Sequence, residues 1–262
     1  MASYNSEKTI AESIDSILNQ TFSDWELIIC DDGSRDSTFQ IIQKYAERYP
    51  DKIVAIQNEQ NSKLPYSLNR CLEYAKGEYI ARMDADDISM PERFEKQMAY
   101  LQQHPEIDVV GGAIEEIDEN SESRGKTIVY PLTSDDCYNF FARRNPHAHP
   151  AVMFRKSFFD KAGCKYRPEY RQNQDTMLWL DGMKAGTKHA NLPDVVLRFR
   201  FTNSLFKKRR NGWAFAKKQL HDRKIINKTL GYGFGATVFG YMMFCMLVSP
   251  PWVKKIAYKV FR

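Results

Sequence analysis

The sequence predicts an α/β protein built on a doubly wound, mostly parallel sheet, and three observations carry that expectation. Short apolar runs of strand length alternate with amphipathic runs of helix length between Glu7 and Ile117. The run Leu27-Ile28-Ile29-Cys30 is apolar without alternation, as a strand covered on both faces must be. Two strands end in acidic segments, Asp31-Asp32-Gly33-Ser34 and Asp84-Ala85-Asp86-Asp87, at the carboxyl edge where such sheets hold ligands.

The elements follow in order. Asn5 or Ser6 can cap a helix over Glu7 to Gln20, whose Ile10, Ile14, Ile17 and Leu18 fall on one face. A strand over Trp25 to Cys30 leads to a helix from about Thr38 to Tyr49, with Ile41, Ile42, Tyr45 and Ala46 inward. Ile53 to Ile56 is the next strand, and a helix from about Tyr66 is expected to end at Gly77, a suitable C-cap. Tyr79 and Ile80 begin a short strand that delivers the second acidic segment, and Ile88 to Glu92 looks like a helix start. That helix runs from Pro91 to His104 with Phe94, Met98 and Leu101 inward. Val109 to Ile117 is a strand, Thr127 to Tyr130 starts an edge hairpin, and Tyr138 to Phe141 belongs to a short helix. The loop Arg143 to Pro150 leads into a strand over Ala151 to Arg155, and Gln174 opens another helix with Asp175 in its first turn.

Composition excludes several classes. Hydrophobic residues make up 43% of the 262, so the chain is not disordered, and it is long enough for a large α/β domain. Five widely spaced cysteines without a Cys-x-x-Cys fit neither a disulfide framework nor a structural zinc, and agree with a reducing cytosolic setting. Met1 to Lys8 has no apolar run of the kind a signal peptide needs. The net charge of +5 is divided: Leu205 to Arg262 carries 13 Lys+Arg against one acid, Asp222, while the rest holds 25 basic and 32 acidic residues. The expected division is therefore a body over 1–204 and a basic, hydrophobic helical tail over 205–262. Such a tail suits anionic lipid or nucleic acid.

Asp84, Asp86 and Asp87 crowd one strand end, where like charges raise one another's pKa unless something positive sits among them. A hard divalent cation resolves that; a solvated acidic loop is the plainer alternative. An Asp-Gly turn would explain Asp32-Gly33 alone, but not two acidic loops on one rim. Asp175 in a first helical turn is most simply a capping residue.

Taken together, several segments resemble one family: Tyr4-Asn5; Ser13-Ile14 with Ile17 to Thr21; Asp31-Asp32-Gly33-Ser34; Asp84-Ala85-Asp86-Asp87; and Gln174-Asp175 with Trp179. In order and spacing, over roughly Met1 to Phe201, they resemble the family 2 glycosyltransferases, inverting enzymes of the GT-A nucleotide-sugar fold. The likeness is to bacterial members that build O-antigen, capsule and exopolysaccharide. The resemblance implies that Tyr4 lies against a uracil ring and that Asp32 accepts its imide hydrogen. It implies that Asp84 and Asp86 form the Asp-x-Asp motif, with Asp86 the direct ligand of Mn²⁺ or Mg²⁺ and Asp84 nearer the sugar or ribose. Asp175 would be the catalytic base. Gln174 stands where relatives carry Glu, and His149 lines the acceptor side in relatives, with a core or loop histidine bonded to backbone as the alternative. The donor would be a nucleotide sugar, with UDP as carrier. The acceptor would be a saccharide on a polyprenyl diphosphate, at the cytoplasmic face of the inner membrane.

These residue types suit that chemistry. An acceptor hydroxyl needs a carboxylate within hydrogen-bond reach to take its proton. A departing nucleoside diphosphate needs positive charge, and inversion needs a single base rather than a close carboxyl pair. Relatives begin with a buried apolar strand where this chain starts at Met1, so the expectation is that about five to seven residues, roughly one strand, lie upstream of Met1 in the true reading frame.

The tail divides into a basic stretch and an apolar one. Lys207-Lys208-Arg209-Arg210 opens a helix in which Trp213, Phe215 and Leu220 interleave with Lys217, Lys218, Arg223 and Lys224. Thr229 to Val253 then carries no charge, with Gly231, Gly233, Gly235 and Gly240 weakening its helical start and Pro250-Pro251 near its end. Lys254, Lys255, Lys259 and Arg262 follow, so both flanks are basic, whereas a span places its excess on one side. A helix lying in the inner leaflet is the favoured reading, with a single span or packing on the body as alternatives. A sugar nucleotidyltransferase would need a Gly-rich, basic triphosphate loop near the N-terminus, which is not found. A nucleic-acid module would leave Asp32, Asp86 and Asp175 unexplained, and an inactive, truncated membrane-binding remnant is the remaining alternative.

Overall fold

The computed structural model describes residues 1–201 and 212–249. Three short strands, β1 (Ala2–Ser3), β2 (Leu27–Asp31) and β3 (Ile53–Gln57), pair in parallel in the order β1-β2-β3. Helices α1 (Ile10–Leu18), α2 (Thr38–Arg48) and α3 (Leu64–Tyr74) make the crossovers. The alternation of apolar residues follows the two faces. Ile29 of β2 points into the core beneath α1 and α2, while Ile28 and Cys30 meet Cys71 of α3. A single parallel bridge, Ala2 to Asp84, joins this sheet to the second half.

The second half begins with β4 (Tyr79–Ala81) and β5 (Ile88–Ser89), then α4 (Arg93–Gln103), β6 (Val109–Ile117) and β7 (Ser123–Ile128). It continues with α5 (Ser134–Phe141), a 3₁₀ turn over His149–Ala151, β8 (Met153–Arg155), α6 (Ser157–Ala162), α7 (Gln174–Lys184) and β9 (His189–Arg200). Its strand order is β4-β8-β6-β9-β5 with β7 on the side of β6. The doubly wound arrangement holds through the first half; in the second, β6 and β9 are parallel and the other pairs antiparallel. Val110 and Ile114 of β6 join the first core, with Phe94 and Leu101 of α4. Val109 joins a second core with Phe154, Phe158, Met177 and Trp179.

Three local expectations are corrected. Ile88-Ser89 is strand rather than helix start, because Leu197 and Arg198 of β9 pair with it from far along the chain. The third helix ends at Tyr74, short of Gly77, whose N–H instead donates to the Glu26 carboxylate at 3.2 Å. Asn5 does not cap α1, since its side chain accepts from the Arg35 N–H at 2.9 Å and its own N–H donates to the Ser34 hydroxyl at 2.9 Å.

Two further helices close the described chain, α8 (Trp213–Thr229) and α9 (Phe234–Val248). Of the glycines expected to weaken the apolar stretch, Gly231, at φ 69°, and Gly233 mark the break between them, whereas Gly235 and Gly240 lie within α9. Ile226 of α8 is buried in the second core, whereas Phe234, Val238, Tyr241 and Met242 of α9 are exposed. Among the described residues no helix is long and apolar enough to cross a membrane; α9 has 15 residues where a span needs about 20. The boundary expected after residue 204, the Lys207–Arg210 cluster, Pro250-Pro251 and the basic residues Lys254, Lys255, Lys259 and Arg262 lie outside the described residues.

Candidate active site

The site is assembled at the carboxyl ends of β1 and β2 and at the loop after β4. The Asp32 N–H donates to the Ser3 carbonyl at 2.8 Å, and Ala2 bridges to Asp84, so β1 lies between the two acidic segments. From the α1 side, the Thr9 hydroxyl donates to the Ala85 carbonyl at 3.0 Å and the Ser13 hydroxyl to the Asp87 carbonyl at 2.7 Å. Tyr4, the residue after β1, is 42% exposed.

The first acidic segment is fully provided with donors. Asp32 is buried, and its carboxylate accepts from the Asn58 amide at 2.7 Å and from the backbone N–H groups of Ser62 and Lys63 at 2.8 Å each. Only one of these reaches Oδ2, so that oxygen keeps a lone pair for another donor. Asp31 accepts from the Ser34 N–H and hydroxyl at 3.0 and 2.5 Å. Gly33, at φ 70°, sits where an added Cβ would lie 2.9 Å from the Gln60 backbone, which is why the two loops can approach.

The second segment is short of positive charge. Arg82, two residues before Asp84 in an extended run and hence on the same side, donates to Asp84 at 2.5 Å. The Arg200 N–H donates to Asp87 at 2.9 Å. The carboxylate oxygens of Asp84, Asp86 and Asp87 can lie within 4.8 Å of one another. Burial, then the neighbouring Asp84 carboxylate, pushes the Asp86 carboxyl up to about 6. Burial and both neighbours push Asp87 well above the ordinary carboxylate range, and its Oδ2 is buried without a partner. An oxygen-rich donor set with one orphaned carboxylate oxygen fits a hard divalent cation.

Asp175 stands in the first turn of α7. The N-cap is Asn173, so Asp175 is not the capping residue; its Oδ2 accepts from the Asn145 amide at 2.9 Å, and Thr176 in turn donates to the Asn145 carbonyl oxygen at 3.0 Å. Gln174, half-buried, is the first residue of the helix. His149 is buried, with Nε2 2.8 Å from the Tyr166 hydroxyl rather than against backbone, and burial with Arg82 nearby holds its imidazole neutral, well below its ordinary pKa. Tyr166 ties the halves together. Burial raises its phenol pKa, Arg82 opposes that, and the Asp175 and Asp84 carboxylates both add to it.

Sequence reasoning named neither Arg82, Tyr166 nor Asn145 among the site residues, nor the Asn58, Ser62 and Lys63 donors. Arg82 had a local signal, its i, i+2 spacing to Asp84. The others are brought in by loops from distant parts of the chain, and no local pattern marks them.

The family profile described as Glycosyl transferase family 2 matches residues 1–163. A putative glycosyltransferase EpsE of Bacillus subtilis is 40% identical over 210 residues, 80% of this chain and 74% of that protein. The amylovoran biosynthesis glycosyltransferase AmsE of Erwinia amylovora is 36% identical over 241 residues, 90% of this chain and 88% of its own length. Among solved structures, Staphylococcus aureus TarS 1–349 in complex with UDP-GlcNAc superposes with a TM-score of 0.68 at 18% identity, covering 94% of this chain and 69% of that one. At that identity the likeness is one of fold, and it agrees with the expected GT-A architecture.

Proposed function

The chain belongs to glycosyl transferase family 2, and from that premise we propose an inverting transfer of a sugar from a UDP-sugar to a lipid-linked saccharide in surface-polysaccharide assembly. The observation that supports the reading is the meeting of the two acidic strand ends on either side of β1, with Asp32 bonded to Ser3, Ala2 bridged to Asp84, and the Asp84, Asp86 and Asp87 carboxylates clustered around an unpartnered Asp87 oxygen.

In this reading Tyr4 lies along the nucleobase and the free lone pair on Asp32 Oδ2 accepts the uracil imide hydrogen. Asp84, Asp86 and Asp87 are the residues that would hold Mn²⁺ or Mg²⁺. When bound, that cation supplies positive charge against the leaving diphosphate. Arg82 orients Asp84 through the 2.5 Å bond. Asp175 takes the acceptor proton as the acceptor oxygen bonds to the anomeric carbon, while the bond from that carbon to the diphosphate breaks and UDP keeps the electron pair. Asn145 fixes the base by its 2.9 Å bond. His149, neutral and bonded to Tyr166, shapes the acceptor wall rather than carrying charge.

Two features support a lipid-borne acceptor. A groove of about 880 Å³ between α5 and α9 is lined by Phe140, Ala236 and Phe239, with the exposed Arg143 and Arg144 at it. The next residue along, Asn145, is the partner of Asp175. The groove therefore offers apolar surface and anion-binding charge on the loop that also supplies Asn145, the hydrogen-bond partner of Asp175. The exposed apolar side chains of α9 and the lysines of α8 suit a peripheral or monotopic seat on the cytoplasmic face of the membrane.

Thermal shift with a panel of nucleotide sugars and Mn²⁺ or Mg²⁺ tests the donor assignment. UDP with metal stabilises the wild type, and Asp175→Asn keeps that response while losing transfer to acceptor. Transfer by Asp175→Asn at the wild-type rate would remove the base; no preference for UDP over other nucleotides would remove the donor.

A further inference from the structure

The helical tail reaches the start of the helix that carries Asp175, and it does so with its single acid. Asn173, the N-cap of α7, is a non-glycine residue in the left-handed region, φ 62° and ψ 25°. An N-cap residue ordinarily adopts extended backbone and turns its side chain to accept from the first turn. Asn173 does neither. Its amide nitrogen donates to Asp222 Oδ2 at 2.8 Å, and its carbonyl oxygen accepts from the Gln219 amide at 2.9 Å, both on α8. Asp222 is 2% exposed, a burial that a carboxylate sustains only when it is bonded. Asn enters the left-handed region more readily than other non-glycine residues, so it is the two side-chain bonds to α8, rather than backbone strain, that set this residue apart.

Attachment of the tail does not require this arrangement. Ile226 is buried in the second core, the Tyr138 hydroxyl donates to the Leu230 carbonyl at 2.5 Å, the Tyr232 hydroxyl donates to the Tyr138 carbonyl, and Arg223 donates to the Phe141 carbonyl. The Asn173 clamp is additional to those contacts and sits two residues before Asp175.

We propose that Asp222 and Gln219 of α8 are positioning residues for the transfer reaction: by holding Asn173 in its left-handed conformation they fix the first turn of α7 and with it the aim of the Asp175 carboxylate. The inference rests on the reading of Asp175 as the base. It makes the tail part of the acceptor-side machinery, not only an anchor.

The test uses the full chain with a UDP-sugar donor, metal and a lipid-linked acceptor extract, reading kcat, donor KM, UDP affinity and melting temperature together. Asp222→Ala and Asn173→Ala should each lower kcat at least tenfold, with donor KM and UDP affinity within twofold of wild type. Asp222→Asn, which still offers an oxygen to the Asn173 amide, should recover at least half of the wild-type kcat. Tyr138→Phe loosens the tail elsewhere and serves as the anchoring control; it should lower the melting temperature without the kcat loss. Asn173→Gly keeps the left-handed backbone without the side chain and covers the case in which Asp222→Ala does not fold; a loss of kcat there supports the clamp. Wild-type kcat in folded Asp222→Ala or Asn173→Gly overturns the inference, as does a kcat loss that Tyr138→Phe matches. If Asp175→Asn itself retains transfer, the base assignment has failed; a kcat loss from Asp222→Ala that persists in the Asp175→Asn background then does not act through Asp175 and overturns the inference as well.

Discussion

Asp32 and Asp86 are the same residue type on either side of β1, one after each of two sheets, yet their surroundings are opposite. Asp32 is buried among three donors supplied by Asn58, Ser62 and Lys63, so its charge is met within the protein. Asp86 sits beside Asp84 and Asp87, with an orphaned oxygen next to it, and burial and the Asp84 charge outweigh Arg82 and Arg200 to raise its carboxyl pKa. The difference teaches what each loop is for. A carboxylate satisfied by backbone N–H groups is a fixed recognition element, and a crowd of carboxylates is a socket that an external cation completes.

Replacing Asp86 gives the largest effect and separates the two loops most sharply. Asp86→Ala should lower transfer by about 100-fold or more, on the scale of removing one transition-state stabiliser. It should also abolish the metal-dependent thermal response to UDP. Removing like-charge repulsion, Asp86→Asn should leave the metal-free melting temperature unchanged or higher. A drop of several degrees in that melting temperature would show that Asp86 is held by the fold as Asp32 is, and the contrast would collapse.

Asp32→Ala should behave in the reverse sense. Three donors lose their acceptor, which costs about 3 kcal/mol. In a domain of this size that lowers the melting temperature by roughly 6–12 °C. Denaturant unfolding reads the loss directly, with metal present or absent making little difference to it.

Acid sharpens the contrast from below the rim. His147 bonds Asn191 at 2.8 Å and His189 at 3.0 Å, and burial lowers its pKa to about 4. A folded-state pKa below the unfolded value near 6.5 means that the unfolded chain binds more protons between the two. Stability is therefore full above about pH 6.5 and falls as pH drops towards about 4, by about 3 kcal/mol for His147 alone. His189 and His149, buried in the same way, add in the same direction. The raised carboxyl pKa values of Asp86 and Asp87 act in the opposite sense, so the comparison is between variants: urea midpoints measured between pH 7 and pH 4 should fall less steeply in His147→Asn than in the wild type, and identical slopes would refute the assignment of His147 as neutral.

Tyr4→Ala is the smallest change. The ring is 42% exposed and contributes little to the core, so the melting temperature should move by less than a few degrees. Loss of one stacking face should weaken UDP binding by about five- to tenfold, roughly 1 kcal/mol. Calorimetry with UDP reads it, and an unchanged affinity would take Tyr4 out of the nucleotide site while leaving Asp32 in it.

Much of this was legible in the chain. The 3.6-residue spacing of Ile10, Ile14 and Ile17 and the spacing of Phe94 and Leu101 marked α1 and α4. The strand β6 falls on Val109–Ile117 as its apolar run implied. The two acidic segments were visible as strand ends, and the structure places β1 between them. Ile88-Ser89 was misread because its strand state is imposed by Leu197 and Arg198, and a window of ten residues contains no trace of that pairing.

What the sequence determined by itself were properties that repeat over a few residues: the order of helices and strands, the two acidic strand ends, and a tail whose charge differs from the body. Only the tertiary structure decided which carboxylate is satisfied and which is not, that Asn145 bonds Asp175 from a distant loop, and that Asp222 of the tail grips Asn173 ahead of it. The physical reason is range. Periodic burial is written locally because a helix or strand repeats within a few residues. Charge compensation depends on donors delivered across the fold from anywhere in the chain.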